Sequence, residues 1–162
     1  MAMLLLVKGS EMPGQSHSAQ TQVGITSTRS FRTVEVDVML TAHDEQLIVP
    51  YCGEEEGGLR VLCALGTQLQ ARVGKHWHPV GFRDAGAEGG GVPLKTARAS
   101  VVAPGTAAHY LFRCNMDFLA LESGQPLRLI VNTWPNEGSM RSGETPKELA
   151  SPQFRCPRSG ER

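Results

Sequence analysis

His76-Trp77-His78 sets two imidazoles at positions i and i+2, a spacing that puts both on one face of a β-strand. Neutral imidazoles so placed suit Fe, Zn, Cu or Ni. Around this pair lies the densest positive stretch of the chain, Arg72, Lys75, His76, His78 and Arg83, with Trp77 inside it. Such a stretch can meet an anionic partner, including DNA or RNA. Other chemistry is harder to assemble. His109, Cys114 and Asn115 are close in sequence, but strand alternation puts His109 and Cys114 on opposite faces. No G-x-S-x-G element occurs. Gly89-Gly90-Gly91 lacks the Lys-Ser/Thr pair and the helix of a phosphate loop. Glu54-Glu55-Glu56 lacks the spacing of a Ca²⁺ loop and reads as a solvated turn.

The elements that must position these residues are short strands. Val34, Val36 and Val38 alternate with Glu35 and Asp37, the period-two pattern of a half-exposed strand. Further candidates are 46–52, 59–65, 68–73, 77–82, 99–103, 108–114, 117–121 and 127–134, with Pro50 marking an edge or a strand end. Residues 83–92, rich in Gly, form the longest loop between them. Short strands spaced every 8–12 residues or so imply an antiparallel sandwich or barrel. The expected fold is all-β: a single antiparallel β-sandwich over 31–134, with a barrel as the alternative.

On either side of that span the pattern stops. Residues 9–30 are rich in Ser, Thr, Gln and Gly, and 136–162 in Pro, Arg and Ser. Such segments bury too little apolar surface to offset their ordering entropy, so 1–30 and 135–162 read as disordered tails. Lys plus Arg equals Asp plus Glu, 16 each, so no global field steers the chain onto nucleic acid or an anionic membrane. The apolar run Met3 to Val7 is short for a signal-peptide core and has no basic residues before it. No segment is long enough to span a bilayer as a helix. The expected setting is intracellular, cytoplasmic or nuclear, rather than secreted. Cys52, Cys63, Cys114 and Cys156 form no C-x-x-C pair. They read as small hydrophobes in strands, with Cys156 exposed in the tail. A Cys63–Cys114 disulfide is the alternative in an oxidising compartment.

Two families share features with the centre. Cys63, Trp77 and Cys114 stand in the Cys…Trp…Cys order of immunoglobulin-like domains, which they resemble. Residues 102–110 look like the turn before the second cysteine strand of that fold. Phe112 stands where the family's corner tyrosine would, and Tyr110 lies two residues earlier. His76-Trp77-His78 with Pro104-Gly105-Thr106-Ala107-Ala108-His109 is similar to the two motifs of cupin barrels, and 124–131 to the strand that follows. That resemblance implies a metal held by His76, His78 and His109. The family's Glu shortly after H-x-H is missing at its spacing.

No catalytic set survives, so the sequence supports a non-enzymatic module that binds another protein and needs no cofactor. The strand Val34-Glu35-Val36-Asp37-Val38 is the expected sheet edge. The candidate binding residues are Glu35, Asp37, Arg72, Lys75 and Arg83. A metal-dependent cupin-like enzyme and a DNA- or RNA-binding sandwich are the alternatives.

Overall fold

The computed structural model describes residues 17–28, 31–81, 93–115, 121–122 and 124–156, with the side chains of 24–28, 31–32 and 114–115 left aside. The described chain is almost wholly β-strand and forms two sheets. In chain order the elements are β1 (His17–Thr28), β2 (Phe31–Ala42), β3 (Leu47–Glu54), β4 (Arg60–Leu62), β5 (Thr67–Val73) and β6 (His76–Pro79). Then come β7 (Arg98–Val102), β8 (Ala107–Asn115), β9 (Pro126–Thr133), α1 (Glu137–Arg141), β10 (Lys147–Ala150) and β11 (Phe154–Arg155). The first sheet runs β1-β2-β8-β4-β3-β7 and the second β10-β9-β5-β6, with β11 also on β9.

Alternation builds the core. Val34, Val36, Val38 and Leu40 of β2 are all at most 1% exposed and face Leu127, Leu129 and Val131 of β9 and Leu69 and Ala71 of β5 within one cluster. Tyr110 of β8 is fully buried, and its hydroxyl meets Ser100 Oγ at 2.7 Å. Arg60 Nη1 donates to the same Ser100 oxygen, so the buried phenol has a polar partner. Burial, ahead of the Ser100 bond and the Arg60 charge that oppose it, raises the Tyr110 pKa.

Several expectations change. The sandwich is not purely antiparallel, because β4 pairs parallel with β8. The strands extend beyond 31–134. β1 pairs β2 along its whole length, from His17↔Ala42 to Thr28↔Phe31. On the other side α1, β10 and β11 carry the fold to Arg155. Polar alternation hid β1. Ala19 and His17 are buried while Ser18 and Gln20 are exposed. β2 is therefore an interior strand, with β1 at the sheet edge. Residues 1–16, the loop 83–92 with Arg83, most of the 117–121 strand candidate and 157–162 lie outside the described residues.

The cysteines also differ. Cys52 and Cys63 form a disulfide, with Cα atoms 5.1 Å apart. A register shift between Tyr51 and Gly53 places Cys52 in a bulge beside β4. Cys63 is thus committed to Cys52 rather than Cys114. Cys156 is 1% exposed and packs in the main core, not in an exposed tail. After Cys63 the chain turns from the first sheet to the second. A Cβ on Gly66 would lie 2.3 Å from Pro50 Cγ, so this turn has room only for glycine. Pro50 sits in an interior strand at a level that β4 does not reach, and the Gly66 turn covers its open side.

Candidate functional site

The second sheet turns one face inward and one outward, and the outward face carries the densest positive chemistry. On β9, Leu127 and Leu129 point inward, so Arg128 points out. Arg128 is opposite Gln70 of β5, and Arg72 of β5 is opposite Trp77 of β6. Arg128 reaches across β5. Its Nε donates to Gln70 Oε1 at 2.8 Å, and its guanidinium carbon stands 4.6 Å from the centre of the Trp77 ring. This is a cation–π stack, steadied midway by an amide. Arg72 Nε donates to the Gly74 carbonyl at 3.0 Å, and its Nη1 approaches Gln153 Oε1 at 3.5 Å. Arg155 of β11, opposite Pro126, donates to the Gly124 carbonyl at 3.1 Å. Lys75 is exposed in the two-residue β5–β6 turn, where Gly74 takes φ 62° as a tight hairpin requires.

The three guanidiniums on this face are thus held by neutral oxygens. The other arginine pairs differ. Arg113 meets Glu35 at 2.9 Å and Glu55 at 2.7 Å, Arg141 meets Glu137, and Arg60 lies 3.8 Å from Glu54. The Glu55 hydrogen bond, ahead of the Glu35 one, raises the Arg113 pKa despite partial burial. Among the described residues, Arg72, Arg128 and Arg155 have no carboxylate within ion-pair distance. Their positive charge remains available on a rigid sheet.

Of the residues singled out by sequence, Arg72 and Lys75 belong to this face or its rim, and Arg83 lies outside the described residues. Glu35 and Asp37 sit on the other sheet, on interior β2, with Glu35 bonded to Arg113. They do not form an edge. Trp77 is half-buried on the outward face and does not fill the core beside a cysteine pair, so the immunoglobulin-like Cys…Trp…Cys core is not formed. The buried tryptophan is Trp134, 3% exposed, whose Nε1 donates to the Glu144 carbonyl at 2.8 Å.

His76 and His78 share a face of β6, ring centres 6.5 Å apart, and both are exposed. His109 is exposed on β8, in the other sheet. The three do not converge. Among the described residues no group of three His, Cys, Asp or Glu is placed to hold a metal ion. Sequence reading missed Arg128 and Arg155. The Leu-Arg-Leu alternation marks Arg128 as outward, but only the strand order brings it to Trp77.

The fold and site define an all-β sandwich with a cationic outer sheet face. No protein-family model matches the chain, and no curated protein matches it. Among solved structures, it is similar to the ApaA protein of Bordetella pertussis at 13% identity, over 90% of this chain and 95% of that one, with TM-score 0.45. A Northeast Structural Genomics Consortium target shares 11% identity over 90% and 89% of the two chains, with TM-score 0.45. The Bacillus subtilis sporulation control protein Spo0M shares 10% identity, with TM-score 0.36, over 86% of this chain and 48% of that longer one. Likeness at this level assigns no activity.

Proposed function

We propose that the chain is a non-enzymatic interaction module whose outer sheet face, Arg72, Arg128 and Arg155 around Trp77, docks an acidic segment of another protein. One observation carries this reading: three guanidiniums share a rigid face and are bonded to neutral oxygens, while Arg113 and Arg141 on other surfaces are matched to carboxylates. Guanidinium forks suit carboxylates in bidentate geometry, and a pre-held fork loses little freedom on binding. The Trp77–Arg128 stack favours a peptide over a nucleic-acid strand. A base needs an open aromatic face on which to stack, and Arg128 covers one face of Trp77.

Compartment bears on the partner. No described helix is long and apolar enough to cross a membrane. The Cys52–Cys63 disulfide is of a kind that persists in oxidising surroundings, which favours such a compartment over the cytoplasmic or nuclear setting expected from sequence.

The test is fluorescence anisotropy with a labelled Asp/Glu-rich decapeptide and, separately, single-stranded poly-uridine. The peptide is expected to bind, to weaken with salt, and to lose at least tenfold in affinity for Arg72→Gln/Arg128→Gln. Asp37→Lys, on the opposite sheet, is expected to leave affinity within twofold. Poly-uridine binding tighter than the peptide would replace this reading with a nucleic-acid one.

A further inference from the structure

One sheet edge stands apart from the others. The strands that end the sheets are β1 and β7 in the first, β10 and β6 in the second. Three of them are short and carry a charge or a proline. β7 has five residues with Arg98, β6 has four ending on Pro79, and β10 has four with Lys147 and Glu148. Such features keep an edge from pairing with another chain. β1 has twelve residues and among them no Lys, Arg, Asp, Glu or Pro. Its register with β2 runs from end to end without a bulge.

The register also fixes which main-chain groups of β1 are open. Ala42 N–H donates to the Thr106 carbonyl, and the Ala42 carbonyl accepts from Gly105 N–H, so Ala42 turns its peptide groups to the β8 side. Alternation then turns those of Thr41, Met39 and Asp37 toward β1, where they meet Ser18, Gln20 and Gln22. The N–H and C=O groups of Ala19, Thr21 and Val23 therefore point to the open side, and among the described residues nothing bonds them. Their side chains face inward, Ala19 buried and Thr21 and Val23 half-buried, while Ser18, Gln20 and Gln22 are exposed.

We propose that β1 pairs with β1 of a second copy of this chain, antiparallel about a two-fold axis through Thr21. In that register Thr21 meets Thr21 of the second copy and Ala19 meets its Val23, with about ten main-chain hydrogen bonds along the seam. Inward side chains continue inward ones, and Gln20 lies opposite Gln22 on the outer face. No charge opposes a like charge. The His17 ends, near Lys147 of β10, fall about 13 Å to either side of the axis, so the two β10 strands lie at opposite ends of the seam. Two features select a second copy over a foreign strand. An uncharged edge offers nothing by which to read a partner's charge. Joining β1 to β1 also leaves β7, short and bearing Arg98, at both ends of the combined sheet, so growth stops at two copies. The cationic face lies on the other sheet and takes no part, so this pairing is independent of the acidic partner.

Sedimentation equilibrium of the full chain across the micromolar range tests the pairing. The mass is expected to rise from one chain to two and no further. Gln20→Lys/Gln22→Lys sets lysines opposite lysines at exposed positions, and is expected to raise the dimer dissociation constant at least tenfold. Thr21→Pro removes an N–H that only the second copy would use, and is expected to do the same while leaving the β1–β2 ladder intact. In amide exchange, Ala19, Thr21 and Val23 are expected to gain protection with concentration, while Gln20 and Gln22 are protected throughout. A chain that stays monomeric leaves the edge to a strand of another protein and overturns the proposal. Assemblies larger than two, or a dimer that both variants leave intact, would overturn it as well.

Discussion

The Arg128 guanidinium stands 4.6 Å from the centre of the Trp77 ring, across the intervening strand β5. The contact makes Trp77 a support for a cation and not part of the core. Trp77→Ala is expected to cost less than about 2 kcal/mol in urea titration, made up of partial burial and one half-buried cation–π contact. It is also expected to weaken acidic-peptide binding several-fold, because Arg128 loses the surface that holds it. A loss near the core-aromatic range would place Trp77 in the interior.

Trp134 is the contrasting case. It is 3% exposed, packs with Ile48 and Met140, and bonds the Glu144 carbonyl. Trp134→Ala is expected to cost about 3–5 kcal/mol, by loss of a core aromatic. Trp134→Phe keeps most of the packing but strips a carbonyl of its donor, and is expected to cost about 1–3 kcal/mol. Chemical denaturation of both variants checks the order.

The two tryptophans show what a local pattern can and cannot tell. Val34, Val36 and Val38 alternate with charged residues, so their inward direction was legible from β2 alone. His-Trp-His alternates equally well in either direction, and only the pairing of Arg72 with Trp77 turns the indole outward. β1 was not legible because an edge strand needs few apolar residues. It draws stability from twelve paired positions with β2. Cys52 and Cys63 lie 11 residues apart on either side of the Glu54–Gly58 turn, a separation the sequence displays. Their pairing still depends on the bulge that moves Cys52 to the side of β4. The cationic face was half legible. Arg72 and Lys75 stood out as a run, but Arg128 and Arg155 join them only through the order β11-β9-β5-β6.

Reduction tests the disulfide directly. The bond ties β3 to β4, the short strand through which β3 reaches β8. Reduction, or Cys52→Ser, is expected to lower stability by about 2–4 kcal/mol without changing the strand content seen by circular dichroism. An unchanged melting temperature under reductant would show that the bond contributes nothing to the fold.

His17 gives the fold an acid limb. It is buried at the start of β1, and its pKa is lowered, first by burial and then by the charge of Lys147 on β10. A group whose folded pKa lies below its unfolded value contributes stability that is present above pH about 6.5 and lost as pH falls through the folded value. His17→Gln is expected to flatten the decline in urea midpoint below pH about 6.5 while leaving the midpoint at pH 8 close to that of the parent chain. An equally steep acid decline in the variant would assign that limb to other groups.

The proposed docking surface is the outer face of the second sheet. Chemical-shift mapping with the unlabelled Asp/Glu-rich decapeptide tests it most directly. The largest shifts are expected at Gln70, Arg72, Trp77, Arg128 and Arg155, with the Trp77 indole N–H among them and the amides of β2 and β8 still. Shifts centred on Glu35, Asp37 and Arg113, or no saturable shift anywhere, would contradict it.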